Sequence, residues 1–152
     1  ERAFCYLLEQ LVKRFGYTEP SLDQVFDVLL EVSPQIAEHG TFNFCLSNGQ
    51  ALFAYAITKL HWLVREYPFK PAQLIDLDVE VDFSEVTTPE DCVAVITTEP
   101  LTQNEVWTAF EPGELILFQH GRPIRHGKTH IERLERERLD PSLKRVTKAD
   151  QY

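Results

Sequence analysis

The stretch Thr41-Phe42-Asn43-Phe44-Cys45-Leu46-Ser47-Asn48-Gly49-Gln50-Ala51-Leu52-Phe53-Ala54-Tyr55-Ala56-Ile57 decides the fold. Phe42, Phe44 and Leu46 alternate with Asn43 and Cys45, the period-2 pattern of a strand, and Ala51 to Ile57 reads as a second strand. Asn48-Gly49 lies between them, where a two-residue type I′ turn needs positive φ, so the two runs are expected to form an antiparallel hairpin.

Upstream the period changes to that of helices. Phe4, Leu7, Leu8, Leu11, Val12 and Phe15 follow i, i+3, i+4, i+7 spacing, predicting a helix over 1–15 with one buried face, ended by Gly16. Ser21 can cap a second helix carrying Leu22, Val25, Phe26, Leu29, Leu30 and Val32. Pro34 disfavours helical geometry at Ser33, so a break or kink is expected there. Downstream the chain is strand-like. His61 to Val64 reads as a short strand, and Leu77, Val79, Val81 and Phe83 alternate with Asp76, Asp78, Glu80 and Asp82. Cys92 to Thr97, apolar on both faces, reads as a central buried strand, and Leu115 to Phe118 as the last one. Thr129 and Glu132 form a capping-box pattern for a charged helix limited by Pro141. Two helices followed by about six antiparallel strands predict an α+β layered domain over 1–125. Residues 126–152 form a charged tail with a short helix.

Composition bounds the chemistry. The chain has 152 residues, 43% of them apolar, enough for a sizeable core. It contains no methionine and opens within a helical pattern, so it is expected to be part of a longer polypeptide. Residues 1–125 carry 8 Lys and Arg against 19 Asp and Glu, net −11, which repels phosphate backbones and argues against a nucleic-acid partner. The longest apolar runs are strand-sized, far short of the roughly 20 residues of a membrane helix. Three cysteines without zinc or disulfide spacing fit a reducing, cytoplasmic setting.

Most candidate sites have plainer explanations. The acids at 76, 78, 80 and 82 repeat about 7 Å apart along a strand, too widely to cage an ion, and fit a solvated or edge-protecting face. His126 and His130 could share a helix face, but no third ligand accompanies them, so no metal site is expected. His61 fits a core or half-buried histidine better than a base. Cys5, Cys45 and Cys92 lack an adjacent basic group and read as packing residues. Thr97 to Glu105 is the most site-like stretch, because loops leaving rigid strands commonly handle ligands. A strand-terminating turn explains it equally well.

The runs Phe42 to Gly49, Leu60-His61-Trp62, Cys92 to Thr102 and Glu111 to Phe118 together resemble the C-terminal half of stand-alone class II glutamine amidotransferases. The resemblance implies the N-terminal-nucleophile fold, two antiparallel sheets between helical layers. It also implies hydrolysis of the glutamine side-chain amide by an N-terminal cysteine, without a cofactor. The family's nucleophile, oxyanion pair and glutamine-binding arginine and aspartate would all lie upstream, so no catalytic residue is expected among these 152. Asn48-Gly49 belongs to the hairpin and is not the oxyanion pair. Thr98 and Glu99 match a strand end close to the family's cleft and are the substrate-adjacent candidates. The alternative is a binding or regulatory module that keeps the fold without catalysis, and strand edges exposed by truncation would favour a homo-oligomer.

Overall fold

A computed structural model describes residues 1–76, 80–83 and 87–141. Two helices open the chain, α1 (Arg2–Phe15) and α2 (Leu22–Ala37). Nine strands follow in the described residues: β1 (Phe44–Ser47), β2 (Leu52–Ala56), β3 (His61–Glu66), β4 (Ala72–Gln73), β5 (Glu80–Val81), β6 (Cys92–Thr97), β7 (Thr108–Ala109), β8 (Glu114–Gln119) and β9 (Arg122–Lys128). A last helix, α3, spans Glu132–Leu139.

The first sheet has the order β1-β2-β8-β9 and the second β6-β3-β7, and every pairing is antiparallel. Strand alternation divides the interior in two. Phe53, Tyr55, Leu115 and Leu117 turn toward α1 and α2, while Ala54, Ala56, Ile116 and Phe118 turn toward Trp62, Ala94 and Ile96 of the second sheet. β2 and β8 are therefore covered on both faces, and the layers run helices, sheet, sheet. Full burial of side chains such as Phe53 and Leu115 contributes about 1.5–3 kcal/mol each. This is the α+β architecture expected.

Several local expectations are corrected. α1 buries Leu7 and half-buries Leu11 and Phe15, but Phe4, Leu8 and Val12 face outward, so its apolar residues occupy two sides. α2 starts as expected: the Ser21 hydroxyl accepts from the Gln24 amide, and the Gln24 side chain accepts from the Ser21 amide. It then runs through Pro34 to Ala37. Val32, Ser33 and Ala37 flank the proline and are buried, so packing outweighs the one helical bond that proline cannot donate.

The β1–β2 hairpin forms, but not with a two-residue turn. Ser47 pairs with Leu52 across a four-residue loop in which Gly49 alone has positive φ, at 86°. The Asn48 side chain accepts from the amides of Gln50 and Ala51, a side-chain turn in place of type I′. β6 is an edge rather than a central strand, with Val93 exposed; the centre is β3. The cysteines are not core residues either, Cys5 and Cys45 being exposed and Cys92 half-buried.

Of the acidic strand, Glu80 and Val81 are seen pairing with Gln73 and Ala72, and residues 77–79 lie outside the described ones. β9 carries the chain across residue 125 without interruption. Thr129 does not cap α3, whose N-cap is Ile131 with no side-chain bond. Its hydroxyl donates to the Gly113 carbonyl and accepts from the buried Tyr55 hydroxyl at 3.1 Å. His126 lies on β9 beside Glu114, and His130 in the connection to α3, so the two histidines share no helix.

Candidate functional site

β2 belongs to the first sheet and β3 to the second, so the chain changes sheet between Ile57 and Leu60. The end of β6 comes to the same place, because His61 pairs with Thr97. A polar cluster forms at this corner. The Lys59 ammonium donates to Glu99 Oε1 at 2.7 Å, and the Thr97 hydroxyl donates to the Glu99 carbonyl at 2.7 Å. His61 Nδ1 lies 3.0 Å from the Thr98 carbonyl. A carbonyl can only accept, so Nδ1 carries the proton and Nε2 is the ring's free acceptor while the imidazole is neutral.

Asn43 secures the corner from below. Its Oδ1 accepts from the Ile57 amide at 2.9 Å, the Thr58 amide at 3.1 Å and the Thr58 hydroxyl at 3.3 Å. Its Nδ2 donates to the Lys59 carbonyl at 3.2 Å. One side chain thus fixes three consecutive residues of the sheet-to-sheet connection.

The hydrogen bond and charge of Lys59 hold the Glu99 carboxyl below its ordinary range, and Glu99 raises Lys59 in return. Both are ionised at neutral pH. The pair is well exposed, so it presents fixed charge at the strand ends and adds little to stability.

The rest of the 97–105 stretch serves the fold. Arg65 donates twice to Glu105, from Nε at 2.8 Å and from Nη2 at 2.7 Å. The Thr102 hydroxyl donates to the same carboxylate and accepts from the Trp107 indole. Leu101 and Gln103 make backbone bonds with Ile75 and Gln73. Residues 97–99 line the corner, and 101–105 form a strap across the outer face of the second sheet.

The structure brings Thr98 and Glu99 together with His61. Asn43 and Lys59 were missed in the sequence. Asn43 had a signal, as the single strongly polar side chain between Phe42 and Phe44; Lys59 had none beyond its place between two strands.

No cysteine is set up as a nucleophile. Desolvation pushes the Cys45 thiol above its ordinary value, which favours the unreactive protonated form. Among the described residues no group of three His, Cys, Asp or Glu side chains could hold a metal ion, and no helix is long and apolar enough to cross a membrane.

The comparisons with known proteins bear on this architecture directly. The family model for class II glutamine amidotransferases matches residues 1–142. A protein of Escherichia coli K12 named "Putative glutamine amidotransferase YafJ" is 44% identical over 124 residues, covering 82% of this chain and 49% of that protein. A Haemophilus influenzae protein named "Putative glutamine amidotransferase" is also 44% identical over 124 residues, covering 82% of this chain and 42% of that one. The chain therefore spans about half the length, or less, of these relatives. The 2.0 Å crystal structure titled as a predicted glutamine amidotransferase from Pseudomonas aeruginosa superposes with a TM-score of 0.72 at 39% identity, covering 82% of this chain and 49% of that one. With helices, double sheet and sequence in agreement over most of its length, the chain belongs to the class II glutamine amidotransferases.

Proposed function

We propose that residues 1–142, the span of the family match, are the C-terminal part of an amidotransferase domain whose complete form hydrolyses the glutamine side-chain amide. In that reaction an N-terminal cysteine, contributed upstream of Glu1, attacks the amide carbon. The C–N bond breaks, the nitrogen leaves as ammonia after taking up a proton, and a glutamyl thioester remains. Water then cleaves the thioester to give glutamate and the free thiol. The family match over residues 1–142, in a chain spanning about half of its relatives, is the observation that carries this reading.

In the complete domain the present residues supply the scaffold and one wall of the cleft. Thr98 and Glu99 are the substrate-adjacent residues of that wall, with Lys59 and His61 beside them. Three free cysteines and an acidic surface fit a cytoplasmic enzyme of a small polar substrate better than a nucleic-acid binder.

The test is glutamine-dependent ammonia release by two purified proteins, this chain alone and the complete domain. The complete domain is expected to release ammonia and to lose that activity when its N-terminal cysteine becomes alanine. The chain alone is expected to release none. Release by the chain alone would overturn the assignment of the nucleophile. Silence of the complete domain with glutamine would favour the binding-module alternative.

A further inference from the structure

We infer that Asn43 is a positioning residue for the strand-end cluster, holding the β2–β3 connection so that His61 keeps its proton on Nδ1 and Lys59 stays against Glu99. The inference rests on the reading of that cluster as a cleft wall.

The bonding of Asn43, a half-buried residue, is unusual for an asparagine outside a turn. Its oxygen accepts three hydrogen bonds and its nitrogen donates a fourth, all to the segment Ile57-Thr58-Lys59, fourteen to sixteen residues away in sequence. A turn asparagine ordinarily bonds its own backbone two or three residues on, as Asn48 does with Gln50 and Ala51. Asn43 instead bridges two elements, the approach to β1 and the corner where the chain passes between sheets.

Two consequences follow directly from that geometry, and they bear on His61 next along the chain. The Ile57 and Thr58 amides, which lie beyond the last β2 pairing at Ala56, acquire an acceptor. The Lys59 carbonyl acquires a donor, which sets the peptide plane from which the Lys59 side chain leaves toward Glu99. His61 is two residues further on, and its ring must meet the Thr98 carbonyl edge-on to keep its bond. The bond made by Nδ1 to that carbonyl selects the tautomer with the proton on Nδ1.

Phe42 and Phe44 give the clasp its rigidity. Their rings stack at 5.7 Å and both pack on Tyr55, with Asn43 between them in sequence pointing the other way. Aromatic anchoring on one side leaves the amide free to serve the corner on the other.

The experiment compares Asn43→Ala and Asn43→Asp with Asn48→Ala, which removes two turn bonds at the opposite end of the β1–β2 hairpin. Ring-nitrogen chemical shifts of His61 in this chain report the tautomer directly. In the wild type the Nδ1–H form is expected to dominate. Asn43→Ala is expected to lose that dominance, whereas Asn48→Ala keeps it. Asn43→Asp keeps an acceptor for all three donors, loses the donor to the Lys59 carbonyl, and is expected to fall between.

In the complete domain, Asn43→Ala is expected to lower kcat/KM for glutamine roughly tenfold or more, a small misplacement being enough for such a loss. Asn48→Ala is expected to stay within about twofold, the level at which positioning is unaffected. The inference is overturned if His61 holds its Nδ1–H form in both Asn43 variants, or if Asn48→Ala reproduces their effect. Should Asn43→Ala fail to fold, Asn43→Asp decides on the same criteria. Absence of ammonia release by the wild-type complete domain would instead count against the proposed reaction, leaving the tautomer result to stand by itself.

Discussion

Two ion pairs bind the second sheet to the loop that follows β6, and they differ in almost everything except charge. Lys59 and Glu99 meet at the strand ends through one bond, with side chains 76% and 60% exposed. Arg65 and Glu105 meet on the outer face of the sheet through two parallel bonds, with side chains 18% and 17% exposed. The Arg65 guanidinium also lies 5.1 Å from the centre of the Phe83 ring, and Glu105 takes a further bond from buried Thr102. Exposure decides what each pair can do. Water screens the first, leaving oriented charge that a ligand can meet; the second is sheltered enough that loss of one partner strands the other.

The strongest way to break this comparison is Arg65→Met. It leaves the Glu105 carboxylate sheltered without its cation and is expected to cost about 3 kcal/mol, the low end for breaking a buried pair. For a chain of this size that lowers the melting temperature by roughly 6–12 °C, measurable by calorimetry. Replacing both partners, Arg65→Met with Glu105→Leu, is expected to recover part of the loss, since two apolar side chains strand no charge. No recovery would mean that Arg65 acts through Phe83 rather than through Glu105.

Glu105→Gln sharpens the contrast with a smaller effect, about 1–2 kcal/mol at neutral pH from the weaker bonds to Arg65. The hydrogen bond from Arg65, partly opposed by desolvation, holds the Glu105 carboxyl below its ordinary value. The unfolded chain then takes up this proton more readily than the folded one. Stability from Glu105 is therefore full above the ordinary glutamate pKa of about 4.3 and is lost as pH falls through the lower folded value. Urea midpoints measured downward from pH 5 are expected to decline less steeply in Glu105→Gln than in the wild type. Parallel declines would place the acid sensitivity elsewhere.

Smallest in stability is Lys59→Met, expected to leave the urea midpoint essentially unchanged because water screens the exposed pair. Its consequence should appear instead in glutamine turnover by the complete domain. A large stability loss would show that the corner is a structural joint like the Arg65 strap and would remove the distinction between the pairs.

The sequence announces these two regions unequally. β2 and β8 are legible because both faces are apolar, and α2 because its capping box and periodicity agree. β9 escapes notice because its pattern is inverted: the side chains turned toward α2 include Arg125 and Gly127, while Ile124 faces out. Arg125 lies flat over Phe26 at 4.3 Å and bonds Asp23 and Asp27, doing with its stem and guanidinium what an aliphatic residue would ordinarily do. Gly127 lets Leu30 and Phe26 approach to within side-chain contact of the strand itself. Neither role is encoded in hydropathy.

At the candidate site, the strand pattern marked only the stretch after β6, and the family resemblance singled out Thr98 and Glu99 within it. Asn43 and Lys59 could not be joined to them from sequence, since the corner depends on which strand crosses to which sheet. The Arg65–Glu105 pair, forty residues apart, is invisible for the same reason. Tertiary pairing, not local preference, creates both ion pairs.

Gly121 has φ 73°, and a side chain there would meet the Cys92 carbonyl oxygen at 2.1 Å and its carbon at 2.4 Å. The tip of the β8–β9 turn thus rests backbone against backbone on the first residue of β6, across the boundary between the sheets. The approach at Gly121 itself is between backbones, so it admits no residue but glycine. Exchange of side chains can redraw the polar corner at the other end of β6, whereas this end is fixed by the backbone itself.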